Sequence, residues 1–381
     1  MHAATAAVVR RATEGDPRVA QTLTERPGTG TADREELART LLPPEVYAYY
    51  ASGSGAETTL AEAARAWSAF RLRPRTLRDV RTVSTAARLL GTDLALPVGV
   101  APMAFHALAH PEAERATAAG TDRAGGLFVL STRCSLRIED VAAAAGPWWF
   151  QVYVMRDRSL TRALVERAAA AGARALLLTG DTPYVGAKRA VGGVRIPLSA
   201  EHFLVNLAEH LPADPDVPAL TEQDPSIDTD VIAWLQEVSG LPVLVKGVLR
   251  GDEAVRCLDA GAAGVVVSNH GGRQLDRAVP AALALAEVVD AVGGRAPVLV
   301  DGGVRSGLDV LVALALGADA VLLGRPVLWA LAAGGADGVA DLLDQVRAEL
   351  SHAMALVGSP DVAALDRSLV VPAPILPEAS P

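Results

Sequence analysis

From Leu96 onward the chain repeats one pattern: a short apolar run, a polar or glycine-containing turn, then a stretch whose apolar positions recur three and four apart. Eight such runs, at 98–101, 127–130, 150–154, 175–179, 243–246, 264–268, 298–301 and 320–324, are apolar at consecutive rather than alternating positions. That suits strands buried on both faces, as in a parallel sheet. The stretches between them, among them 112–124, 160–171, 252–260, 281–292 and 307–316, have the helical period. Gly172, Gly261 and Gly317 each stand where a helix must end just before a strand. Eight parallel strands with right-handed helical crossovers close into an α/β fold, the (β/α)8 TIM barrel.

The pattern is absent from residues 1–33, which read as a flexible N-terminal arm. Helical spacing over 33–42, 45–50 and 56–70, punctuated by Pro43-Pro44 and Ser52-Gly53-Ser54-Gly55, predicts an N-terminal helical cap segment over 34–95. The barrel is expected over 96–360 and a tail over 361–381. One connection breaks the rhythm: 182–228 is too long for a plain strand-to-helix loop and reads as a lid, with a short amphipathic helix at 203–211.

Composition narrows the class. Of 381 residues 50% are apolar and 21% charged, enough for a large core, and a net charge of −9 argues against a nucleic-acid surface. No apolar stretch reaches the roughly 18 residues of a membrane span, and the start of the chain lacks a signal-peptide core. A cytoplasmic enzyme without a membrane span is expected. Cys134 and Cys257 have no metal-ligand spacing and read as buried thiols, and no metal site is expected. Only Lys188 and Lys246 among 35 basic side chains are lysines, so each is read as needed for its own chemistry.

Barrel chemistry sits at the C-terminal ends of strands. Those ends carry Pro102, Met103 and Ala104; Ser131; Gln151 and Tyr153; Thr179 and Asp181; Lys246; Ser268, His270 and Arg273; Asp301, Gly302, Gly303 and Arg305; and Gly324 and Arg325. Small residues, free N–H groups and helix N-termini after the last two strands make a phosphate site that Arg305 and Arg325 would clamp.

These residues also carry a resemblance. The motifs Tyr-Tyr-Ala-Ser-Gly at 49–53, Ala-Pro-Met-Ala at 101–104, Phe-Gln-Val-Tyr at 150–153, Ser-Asn-His-Gly-Gly-Arg-Gln-Leu-Asp at 268–276 and Val-Asp-Gly-Gly-Val-Arg-Ser-Gly at 300–307 resemble the FMN-dependent 2-hydroxy acid oxidases and dehydrogenases over roughly 38–360. The resemblance implies FMN as cofactor and oxidation of a 2-hydroxy acid to a 2-oxo acid, with hydride transfer to flavin N5. It implies His270 as base, Asp181 as the anion behind it, and Lys246 beside the flavin N1–C2=O edge. Arg273 would take the substrate carboxylate, and Tyr49 and Tyr153 the carboxylate and reacting hydroxyl. Pro102, Met103, Ala104, Ser131, Gln151, Thr179 and Ser268 would line the flavin ring, and Asp301, Gly302, Gly303, Arg305, Gly324 and Arg325 would hold its phosphate arm. The motifs do not name the electron acceptor; with no haem domain or membrane insert in the pattern, dioxygen is expected, and the resemblance implies a homo-oligomer, tetramer or octamer.

The chain departs from the family pattern at two places. Where relatives carry a second carboxylate-binding arginine after the fourth strand, this chain reads Lys188 and then Arg189, so either replaces it. Arg133 stands where relatives often have a bulky apolar or small residue; it is read either as a ligand for an additionally charged substrate or as a solvated surface arginine. Rival readings are a quinone- or protein-linked dehydrogenase, a flavin-dependent isomerase, and an FMN-binding barrel without turnover.

Overall fold

A computed structural model describes residues 30–188, 199–211 and 216–373. Strand β1 (Phe70–Leu72) and the hairpin β2 (Ala87–Leu89) and β3 (Thr92–Leu94) precede the barrel. The hairpin turns on Leu90 and Gly91, both at positive φ, the geometry of a two-residue turn that matches strand twist. The barrel itself is β4 (Val98–Val100), β5 (Leu127–Ser131), β6 (Trp148–Val152), β7 (Leu176–Thr179), β8 (Val243–Val248), β9 (Gly264–Val267), β10 (Val298–Asp301) and β11 (Ala320–Leu323). All neighbours pair in parallel and in chain order, and β11 closes on β4 with Val321 opposite Val98. The eight strands expected from the apolar runs are the eight observed.

Alternate residues of each strand enter two separate cores. Leu127, Val129, Trp149, Leu177, Leu244 and Leu299 fill the barrel interior, while Phe128, Leu130, Leu176 and Val300 face the helices. Leu89 and Leu94 of the β2–β3 hairpin join the interior cluster and so stopper one end of the barrel. That leaves the opposite, C-terminal rim for the site.

Several expectations are corrected. Strand β6 begins two residues before the expected 150, because Trp148 and Trp149 are themselves strand residues, one facing the helices and one the interior. The helical cap expected over 34–95 stops at Trp67, the end of the helix Thr58–Trp67; β1 and the hairpin occupy the rest of that segment. Part of the expected tail is strand β12 (Val370–Pro372), antiparallel to β1. Within the long connection the described residues form short helices at Ala200–Leu204 and Val217–Thr221 and a 3-10 turn at Ala208–His210, rather than one continuous helix over 203–211. The expected arm lies outside the described residues except for 30–33, which begin the helix Thr31–Leu41.

One helix, Arg325–Val357, is long and apolar enough by length and composition to cross a membrane, although no single apolar run in the sequence marks it. It bends at Gly334 and Gly335, where φ and ψ leave the helical region, and buries Val327, Leu328, Trp329, Leu342 and Leu343 in the core. It is a core helix of the barrel. Cys134 and Cys257 are free and buried, as expected.

Candidate active site

At the C-terminal rim a cavity of about 450 Å³ opens between the barrel, the N-terminal helices and the long connection. His270 comes to it from the turn after β9. Three consecutive residues there, His270, Gly271 and Gly272, have φ of 58°, 63° and 72°. Glycine adopts this left-handed region freely; a histidine there is strained and is held by its surroundings. The Ser268 hydroxyl accepts from the His270 N–H at 3.0 Å, and Asn269 Oδ1 accepts from the Gly272 N–H at 3.3 Å. A β-carbon on Gly272 would lie 2.8 Å from the Leu60 backbone nitrogen, so the helix Thr58–Trp67 packs directly on the turn. Asp276, at the end of the same motif, accepts from the N–H groups of Ala56 and Thr59 and caps that helix from across the chain.

The imidazole is fixed at both nitrogens. Its Nδ1 lies 3.0 Å from Asp181 Oδ1 and its Nε2 3.4 Å from the Tyr153 hydroxyl. Burial pushes the Asp181 carboxyl up, but the His270 charge and hydrogen bond, with Lys246 behind them, outweigh it and leave it below its ordinary value. Gly247, at a bulge in β8 with φ of 105°, makes the room: a β-carbon there would lie 2.5 Å from Asp181. Burial raises the Tyr153 phenol, with the Asp181 charge adding to it, so this hydroxyl stays protonated and donates.

Lys246, within β8 just before the Gly247 bulge, is almost fully buried. Its ammonium donates to Ser268 Oγ at 2.8 Å and pairs with Asp301 Oδ2 at 2.9 Å, while Asp301 Oδ1 is buried without a partner among the described residues. Ser131, Gln151 and Thr179 form a chain across three strands: Ser131 Oγ donates to Gln151 Oε1 at 3.1 Å, and Gln151 Nε2 to Thr179 Oγ1 at 2.9 Å. This buried polar row suits the edge of a planar, hydrogen-bonding ring.

The phosphate end lies beyond Asp301. Gly302 and Gly303 have φ of 91° and 81°, and a β-carbon on Gly303 would collide with the Ala63 carbonyl. Trp67 Nε1 donates to the Gly302 carbonyl at 2.9 Å and so ties the cap to this turn. Burial lowers Arg305, and burial with Arg273 and Arg305 nearby brings Arg325 down to about 9. Neither arginine has a carboxylate in ion-pair range among the described residues. Two desolvated guanidiniums beside a glycine turn and the N-terminus of the helix Arg325–Val357 fit a dianionic phosphate, and the residues at this rim fit FMN.

Arg273 differs in detail from expectation. Its Nη1 donates to the carbonyls of Tyr49 and Ser52, each at 2.8 Å, and Arg325 donates to those of Tyr50 and Ser52. The two arginines cap the C-terminal, negative end of the helix Pro44–Ala51. Nε and Nη2 of Arg273 donate to no carbonyl or carboxylate among the described residues, so one edge of its fork faces the cavity. The Lys188 ammonium donates to the Arg273 carbonyl, and burial, with Arg273 and Arg325 nearby, brings it down to about 8. Arg189 lies outside the described residues.

Of the other expected residues, Tyr49, Arg133, Pro102, Met103, Ala104 and Gly324 all line the cavity, whereas Ser268 and Asp181 stand behind its wall. Arg133 is not a solvated surface arginine: burial lowers it, and its guanidinium lies 4.9 Å from the centroid of the Phe203 ring. Sequence reasoning missed Phe203, Gln223 and Gln274 as cavity residues. Phe203 and Gln223 fell in the segment read as a lid; nothing local marked Gln274.

The profile of the FMN-dependent dehydrogenase family matches residues 38–372. The L-lactate oxidase of Nostoc sp. is 44% identical over 350 residues, 88% of this chain and 96% of that protein. The 4-hydroxymandelate oxidase of Amycolatopsis orientalis is 44% identical over 345 residues, again 88% and 96%. Among solved structures, mandelate oxidase with (S)-4-hydroxymandelic acid superposes with a TM-score of 0.84 at 42% identity, covering 91% of this chain and 100% of that one. A match this long, carrying the glycine turns and arginines of the phosphate end together with the histidine turn, means that the chain belongs to the FMN-dependent dehydrogenase family.

Proposed function

We propose that the protein oxidises 2-hydroxy acids to 2-oxo acids with FMN and passes the electrons to dioxygen, releasing hydrogen peroxide. The observation that carries this reading is the His270 imidazole, held between Asp181 and Tyr153 in the cavity that also contains Lys246, Arg273 and the phosphate cradle. The names of relatives support it: besides those above, a glycolate oxidase of Oryza sativa is 41% identical over 353 residues. Dioxygen as acceptor rests on those names.

When bound, FMN supplies the two-electron acceptor for the hydrogen on the substrate's α-carbon. The remaining work falls to side chains. The open edge of Arg273, with Lys188 beside it, receives the carboxylate, and Tyr49 and Tyr153 orient the carboxylate and the hydroxyl. His270 Nε2 takes the hydroxyl proton, while Nδ1–H donates to Asp181. Asp181, held ionised, stabilises the imidazolium that results. Lys246 would offer a buried positive charge to bound FMN, whose reduced ring needs negative charge accommodated.

A cytoplasmic location and a homo-oligomer of four or eight copies belong to the same reading; sedimentation of the purified protein tests the second. The reaction is tested by mixing the FMN-loaded protein with small and aromatic 2-hydroxy acids without oxygen, then admitting air. Bleaching of the yellow flavin, followed by peroxide, is the expected result. No bleaching by any 2-hydroxy acid would overturn the reaction, and bleaching without peroxide in air would overturn the acceptor.

A further inference from the structure

The positive charge of the cavity exceeds what the proposed reaction uses. Among the described residues six cationic side chains line it, Arg133, Lys188, Lys246, Arg273, Arg305 and Arg325, against one carboxylate, Asp301. A flavin phosphate and one substrate carboxylate bring about three negative charges. With Asp301 they balance the two phosphate-end arginines, Lys246 and Arg273. Lys188, charged below about pH 8, donates to the Arg273 carbonyl and stands beside Arg273 at the proposed substrate carboxylate. Arg133 is the cation that the proposed reaction gives no role.

Its surroundings do not neutralise it. Arg133 follows β5, with its N–H donating to Ser131 Oγ at 3.1 Å and its carbonyl accepting from Phe105 at 2.9 Å. Nη2 donates to the Thr221 carbonyl at 2.7 Å, and the guanidinium lies over the Phe203 ring. Among the described residues Nη1 is buried with no partner, and no carboxylate is within ion-pair distance. A half-buried guanidinium that has one neutral acceptor and a buried, unpartnered Nη1 among the described residues is a costly arrangement unless an anion comes to it. Its charge acts on both Tyr153 and Tyr49, the two hydroxyls that flank the substrate's reacting end in the proposed reaction. It is therefore placed for a group on the substrate's side chain, a few carbons from the carbon oxidised.

We propose that Arg133 binds a second carboxylate, so that the preferred substrate is a 2-hydroxy dicarboxylic acid. This rests on the reaction proposed above and adds its substrate class. Arg133 is then a specificity-determining residue: the hydroxyl still loses its proton to His270, and the distal carboxylate takes no part in the chemistry. A residue that served only as a clamp on Phe203 and Thr221 would affect acidic and neutral substrates alike.

The test compares 2-hydroxyglutarate with 2-hydroxyvalerate, and 2-hydroxysuccinate with 2-hydroxybutyrate, by kcat/KM of flavin reduction in the wild type, Arg133→Met and Arg133→Lys. The wild type should favour each diacid by about tenfold or more, the worth of a charge-assisted hydrogen bond. Arg133→Met should abolish that preference by costing the diacids about tenfold more than their neutral partners, and Arg133→Lys should restore part of it. Equal losses for both members of a pair, or a wild type that prefers the neutral acids, would overturn the proposal. Calorimetric binding of glutarate and butyrate, which carry no hydroxyl to oxidise, separates the two layers. If glutarate binds better than butyrate only when Arg133 is present, yet no 2-hydroxy acid bleaches the flavin, the acidic subsite stands and the reaction falls. If neutral acids bleach the flavin and Arg133→Met leaves discrimination unchanged, the reaction stands and the subsite falls.

Discussion

His270 Nδ1 lies 3.0 Å from Asp181 Oδ1, and the histidine holds that position with φ of 58°. The two residues come from turns after β9 and β7, separated by β8, whose bulge at Gly247 lets the carboxylate in. A strained backbone and a carboxylate that can only accept from Nδ1 together fix one ring orientation and one tautomer.

That pair sets the first prediction. His270→Ala should keep its yellow FMN and lower the rate of flavin reduction by roughly 10²–10⁴-fold, the usual contribution of a positioned base. Asp181→Asn should fall in the same direction, because the imidazolium loses its counter-ion. Stopped-flow reduction without oxygen measures both; a His270→Ala rate near that of the wild type would remove the histidine from the mechanism.

Lys188 predicts a pH dependence. Burial, with Arg273 and Arg325 nearby, brings its ammonium down to about 8, so it is charged below that pH and neutral above it. If it helps hold the substrate carboxylate, KM should rise as pH passes from about 7 to about 9, on either side of that value. Lys188→Arg, charged throughout that range, should remove the rise, and Lys188→Ala should give a KM roughly tenfold higher near neutral pH. A KM that ignores both substitutions would take Lys188 out of the site.

The phosphate end is read by cofactor content. Arg305→Leu and Arg325→Leu should each weaken FMN binding by about 10-fold or more, through loss of a charge-assisted hydrogen bond to phosphate. The flavin absorbance retained after gel filtration measures this. Full retention in both variants would place the phosphate elsewhere.

Gly303 couples cofactor and fold. At φ of 81°, with the Ala63 carbonyl where a β-carbon would go, Gly303→Ala must push the helix Thr58–Trp67 away from the turn. Backbone strain alone costs on the order of 1–3 kcal/mol. Chemical denaturation should show that loss, and the Trp67 hydrogen bond to Gly302 should break with it; an alanine variant of unchanged midpoint would contradict the close packing.

The eight barrel strands were legible because consecutive apolar residues of strand length, set between helical periods and closed by glycine, have few other uses. The residues at strand ends were legible for a similar reason: a polar side chain just after a buried run must stand on the rim, and a barrel gathers its rim into one place. Hence His270, Lys246, Gln151 and Arg325 could be named together before any contact was known. The hairpin that stoppers the barrel was not legible, since Leu89 and Leu94 are apolar residues in short strands without a long period.

What the chain alone determined, then, was the barrel and the set of groups around its rim, because both depend on local periodicity and on position relative to a strand end. What only the tertiary structure decided was how those groups are paired. Arg273 commits one nitrogen to the helix Pro44–Ala51, Lys188 faces a carbonyl, and Arg133 is half-buried, its Nη1 buried, without a counter-ion among the described residues. Charge balance in a cavity depends on distances between residues far apart in sequence, and no local pattern encodes it.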